Sequence, residues 1–167
     1  MGRACVLAVV SDRLIGENHS IDSGQIQLWI SWAAALRQAG RRPILVSCRS
    51  RLDCVGTHQL PRRRDGQDAP RALAVIGQSK IAAAWLAGFA EVGKRCAQVL
   101  LDKEDLGIPE RRLATGNTLE MLLAQGVIPV IIENEAAMSP DVVCDTGIAL
   151  AVSVAELLKT GLPGEGD

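Results

Sequence analysis

The sharpest chemical grouping in the chain is Glu133-Asn134-Glu135, two carboxylates around an amide, placed directly behind the run Val127-Ile-Pro-Val-Ile-Ile132. Five of those six residues are aliphatic, so the run reads as a strand buried on both faces whose carboxyl end opens into a polar loop. In open α/β sheets, ligands bind just beyond such strand ends. Carboxylates there suit a cation or a ligand amine; the alternative is that they are solvated loop charges, in keeping with the surface preference of Glu. A second grouping is Cys48-Arg49, at the end of another apolar segment. A guanidinium beside a thiol favours the thiolate, against the commoner case of a buried, inert cysteine.

Other chemistries find little support. His19 and His58 have no ligand spacing to each other or to the five cysteines, so no metal site is expected. There is no Gly-x₄-Gly-Lys-Ser/Thr and no Gly-x-Gly-x-x-Gly behind a strand, so no cofactor is expected either. The net charge of −1 gives no electrostatic case for nucleic acid or an anionic membrane. The basic run Arg62-Arg63-Arg64 reads as a solvated loop, and no transmembrane run stands out. An odd number of cysteines, without Cys-x-x-Cys and without a secretory signal ahead of them, points to a reducing, cytoplasmic setting. Cys5 and Cys96, in or beside apolar strands, read as small core hydrophobes.

The elements that must position these groups alternate. Strands are predicted over 5–10, 43–47, 97–101 and 127–132, and helices over 22–39, 71–92, 118–125 and 147–159. The first helix is capped by Ser20 or Asp22 and ended by Gly40. Asn117 with Glu120 has the form of a capping box for the third. Residues 49–70 form a long polar loop of the kind that is functional or disordered. This order predicts an α/β fold, a three-layer sandwich around a mainly parallel sheet. With 167 residues, 48% of them hydrophobic, one domain over 1–160 can bury its own core, and 161–167 should fray as a flexible tail.

Four patches give the chain a family resemblance. Arg41-Arg-Pro-Ile-Leu-Val-Ser47, Ala74-Val-Ile-Gly-Gln-Ser79, Ala97-Gln-Val-Leu-Leu101 and Asn117-Thr-Leu-Glu-Met-Leu-Leu123 resemble segments of glutamate 5-kinases, of the amino-acid kinase family. The segment from Val127 to Glu135 is similar to that family's Val-Ile-Pro-Ile-Ile-Asn-Glu-Asn-Asp. The resemblance runs without a gap from about Cys5 to Thr160 and implies the N-terminal half of an amino-acid kinase domain, with the nucleotide-binding half missing.

Those patches are scaffold, and the positions the resemblance assigns to chemistry are altered. Where the family has Lys-x-Gly-Ser, this chain has Ala8-Val9-Val10-Ser11, keeping only the Ser. Where it has Ser-Ser-Gly-Ala, this chain has Ser47-Cys48-Arg49-Ser50. The substrate-binding Asp falls on Glu135, and a substrate-contacting Asn on Gly147. The resemblance therefore implies a vestigial substrate pocket of Ser11, Cys48, Arg49, Glu133, Asn134, Glu135 and Gly147, with no catalytic residue retained. Removing one preorganised charge or donor costs about 10²–10³ in rate, and phosphoryl transfer rests almost wholly on such groups.

Two function classes follow, with a third in reserve. One is a pseudoenzyme, a non-catalytic partner or regulatory subunit that forms a homo-oligomer or a hetero-complex. The other is an amino-acid-binding enzyme or half-kinase whose nucleotide half is supplied in trans, and the reserve is a small-molecule sensor. Interface candidates are Trp29, Trp32 and Trp85, because Trp is enriched at binding hot spots and the helices carrying them are apolar beyond one sheet-facing stripe. Ordinary core filling is the competing explanation.

Overall fold

Apolar strands separated by helix-length segments can bury both sheet faces only if each connection crosses over the sheet. The computed structural model of the chain has that arrangement. It describes residues 2–10, 14–16, 20–48, 68–134, 136 and 146–159. In chain order these form β1 (Ala4–Val10), α1 (Ser23–Gln38), β2 (Arg42–Cys48), α2 (Asp68–Glu91) and β3 (Cys96–Leu100). A 3-10 helix (Glu104–Gly107), α3 (Pro109–Ala124), β4 (Ile128–Ile132) and α4 (Thr146–Lys159) follow.

The four strands are all parallel, in the order β1-β2-β4-β3. Steps from β1 to β2 and from β2 to β3 run in one direction, and the step from β3 to β4 turns back. Right-handed crossovers then place α1 and α2 on one face and α3 on the other, and the packing agrees. On the first face Ile26, Ile30, Ile81, Trp85 and Phe89 meet Val9, Leu45, Ile128, Val130 and Ile132. On the second, Leu119, Leu123, Leu150 and Val154 meet Ile44, Val46 and Ile131. The three-layer α/β sandwich is thus present.

Local chemistry explains most boundaries. Asp22 accepts a bond from the Gln25 N–H at 3.0 Å and so starts α1. Gly40, at φ 75°, lets the chain leave α1 through a left-handed turn. Every residue of β4 is buried, as a central parallel strand requires. Pro129 is tolerated there because the β2–β4 register begins only at Val130. Behind β1, an isolated antiparallel bridge between Ile15 and Ile21 seats Leu14 and Ile15 in the core.

Three expectations change. The helix expected over 118–125 begins at Pro109, so Asn117 lies inside α3 and does not cap it; Pro at the first helical position is the start signal. Trp85, an interface candidate, is 1% exposed and stacks on Phe89 within the core, with ring centroids 6.2 Å apart. It has no surface to present. Finally, α2 over Ala72–Glu91 is long and apolar enough to cross a bilayer by length and composition. Its buried residues, Ala74, Ile81, Ala82, Trp85 and Phe89, pack into the sheet, as a core helix does. The expected tail at 161–167 and Arg62-Arg63-Arg64 lie outside the described residues.

Candidate functional site

The connections that follow β2 and β4 leave for opposite faces of the sheet. The one after β2 leads to α2, and the one after β4 leads to α4, which packs on β1 and β2 from the other side. Adjacent strands with diverging exits form a topological switch point, where α/β sheets place their ligands. The two chemical groupings of the sequence, Cys48-Arg49 and Glu133-Asn134-Glu135, follow these two strands.

Register fixes how closely they approach. Val9 pairs with Ser47, Ser47 with Ile132, and Ile132 with Leu100, a single line across all four strands. One residue further, Val10 pairs with Cys48, and the Leu101 N–H donates to the Ile132 carbonyl at 3.2 Å. Glu133 and Asn134 therefore leave the sheet beside the end of β2. Ser47 is buried, and Glu133 is 2% exposed. A carboxylate so deeply buried is costly unless its surroundings compensate it, so Glu133 is a structured feature of the strand exit and not a solvated loop charge.

Asn134 is held by its backbone. Its N–H donates to Asp102 Oδ1 at 3.0 Å. The Asp102 N–H in turn donates to Asp105 Oδ2 at 3.2 Å, and Asp105 Oδ1 accepts from Arg111 at 2.6 Å. Burial raises the Asp102 carboxyl above the ordinary carboxylate range; the Asn134 N–H opposes this, and Asp105 and Glu104 add to it by repulsion. Asp102 was not singled out in the sequence. Its signal is an Asp just past a strand end with a second Asp three residues on, a spacing that favours local backbone bonds.

The remaining candidates divide. Cys48 ends β2, and Gly147 lies in the first turn of α4. Ser11, Arg49 and Glu135 lie outside the described residues. Trp32 is 50% exposed, and Trp29 is half-buried against it with an edge-to-face separation of 5.0 Å. Cys5 and Cys96 are both half-buried, and burial pushes the Cys96 thiol up, away from reactivity. Among the described residues no three His, Cys, Asp or Glu side chains are grouped to hold a metal.

No protein-family model matches the chain. Curated relatives do. The chain is 33% identical over 159 residues to the glutamate 5-kinase of Pseudomonas putida (strain F1), covering 94% of this chain and 42% of that protein. It is 34% identical over 159 residues to the glutamate 5-kinase of Pseudomonas entomophila (strain L48), with the same coverage. The glutamate 5-kinase of Ectopseudomonas mendocina (strain ymp) is 33% identical over 162 residues, covering 96% of this chain and 43% of that protein. The chain spans less than half the length of the curated relatives it matches. Nearly all of it is therefore homologous to one part of glutamate 5-kinase.

Proposed function

We propose that this chain is a catalytically degenerate glutamate 5-kinase-like protein that acts in the cytoplasm as a non-catalytic partner or regulatory subunit. One observation carries the proposal: β1 and β4, the two strands that flank β2, are apolar near their carboxyl ends where the resemblance places polar or backbone-exposing groups. Ala8, in place of Lys, is half-buried and packs against the α4 side of the core. Val10, in place of Gly, ends β1. Ile132, in place of Asn, is 1% exposed and belongs to the core on the α1 side. None of the three side chains offers a charge or a hydrogen bond, and phosphoryl transfer depends on both.

The direct test of a regulatory role is to titrate the protein into an intact glutamate 5-kinase and follow turnover and co-elution. A change in rate together with a stable complex supports the proposal. Neither effect at tens of micromolar (on the order of 10⁻⁵ M) would remove the regulatory role.

The buried carboxylate of Glu133 favours a second reading, in which the site still binds an amino acid, as an enzyme, a half-kinase acting with a nucleotide half in trans, or a sensor. Glu133 and Asn134 offer acceptors for an ammonium group, and Arg49, where the family has Gly, would either pair with Glu133 or Glu135 or recruit a ligand carboxylate. We favour the self-pairing, because it closes the site without a ligand. Calorimetry with glutamate and aspartate on the wild type and Arg49→Gly separates the two. Millimolar or tighter binding by the wild type, lost in the variant, would establish the second reading.

A further inference from the structure

We propose that Asp102 is a positioning residue for the exit of β4, its side chain adding one rung to the β3–β4 ladder where the backbone ladder stops. The last backbone rung is the bond from the Leu101 N–H to the Ile132 carbonyl. Beyond it the strands no longer pair. The Asn134 N–H would then lack a strand partner at the point where the chain turns into the candidate site, and Asp102 Oδ1 accepts it at 3.0 Å.

Asp102 is itself held from below. Its own N–H is bonded to Asp105 Oδ2, and Asp105 is paired with Arg111 in the first turn of α3. The relay from Asn134 through Asp102 and Asp105 to Arg111 ties the polar exit of β4 to the start of the helix that leads into it. Glu133 lies between the last backbone rung and the side-chain rung, so both its neighbours along the chain are fixed. That matters for a buried carboxylate, whose interactions depend on close geometry, and for any ligand that Glu133 and Asn134 meet, since small misplacements of binding groups are costly.

The function assigned to Asp102 requires an acceptor at this point and not a charge. Asn at 102 supplies a carbonyl oxygen of the same reach, whereas Ala supplies nothing. The test compares the full chain with Asp102→Ala and Asp102→Asn, first by amide hydrogen exchange at Asn134 and then by calorimetry with glutamate. Losing one such bond should speed exchange at Asn134 by about tenfold in Asp102→Ala. Asp102→Asn should stay within about threefold of the wild type, and the Leu101 amide should be unchanged in both. Equal protection in wild type and Asp102→Ala would overturn the proposal, and equal loss in both variants would show that charge, not an acceptor, is required.

The calorimetric arm rests on the amino-acid-binding reading above: where the wild type binds glutamate, Asp102→Ala should weaken it by about tenfold and Asp102→Asn should not. Unchanged affinity in an Asp102→Ala protein that has lost protection at Asn134 would refute the effect on ligand positioning. A wild type that takes up no glutamate would end the amino-acid reading, and the exchange result would still decide the role of Asp102.

Discussion

Returning Ile132 to the Asn that the resemblance places there should unfold the protein sooner than restore a site. Ile132 is 1% exposed and packs in the core with Leu45, Val130 and the α1 side chains. Removing a buried Ile side chain forfeits about 1.5–3 kcal/mol of apolar burial. The incoming amide carries two donors and two acceptor sites, and its register neighbour Ser47 offers one hydroxyl. The imperfectly paired amide adds about 1–3 kcal/mol. The combined cost is roughly 2.5–6 kcal/mol, against a total stability of about 5–15 kcal/mol for a typical domain. Ile132→Val, which keeps the apolar character and creates a small cavity, should cost only about 0.5–1.5 kcal/mol. Urea denaturation of the three proteins measures the difference, and thermal melting should show a fall of about 2–4 °C per kcal/mol at this chain length. An Asn variant no less stable than the Val variant would refute the reasoning, because it would mean that position 132 faces a solvated site.

Three further outcomes follow from the packing and electrostatics. A Cβ at Gly88 would overlap Ile30 Cδ1 at the α1–α2 contact; overpacking of about 1–3 kcal/mol should outweigh the roughly 1 kcal/mol gained in helix propensity. Gly88→Ala should therefore melt below wild type, and a higher melting temperature would show that Ile30 yields freely. The outward face of α1 exposes Leu28 (43%) and Trp32 (50%), so the protein should exceed monomer mass in light scattering at micromolar concentration, and Leu28→Glu with Trp32→Glu should reduce it to a monomer. A wild type that is already monomeric contradicts this. Finally, the raised carboxyl of Asp102 means that the native state holds that proton more tightly than the unfolded chain does. Its stabilising contribution is full below the ordinary carboxylate pKa and is lost as pH rises through the raised value. Asp102→Asn should gain stability relative to wild type as pH rises from about 3 to 7. A stability difference that is flat across that range would refute the assignment.

The strands were legible because a central parallel strand needs near-continuous apolar residues, and Pro43–Ser47 and Ile128–Ile132 have few other readings. Helix starts were less so. The stretch Pro109-Glu-Arg-Arg-Leu-Ala-Thr-Gly-Asn117 is polar with an internal Gly, which conceals a helix by periodicity, while Asn117 and Glu120 imitate a capping box in mid-helix. Trp85 was ambiguous because an apolar helix lying on a sheet and a helix offering an interface share a composition; only the packing assigns it to the core. The site was half legible. That Glu133 and Asn134 follow a strand end could be read directly, but that this end lies beside Cys48 depends on β4 inserting between β2 and β3, a tertiary choice with no local signal. Asp102 was missed for the same reason, since its partner lies 32 residues away.

The central claim is that the switch point of this chain no longer supports phosphoryl transfer to an amino acid. The most direct measurement is acyl-phosphate formation from glutamate and Mg-ATP, trapped as the hydroxamate. The account predicts no product above the enzyme-free control at any enzyme concentration. Product that scales with enzyme and disappears in Glu135→Ala would contradict it.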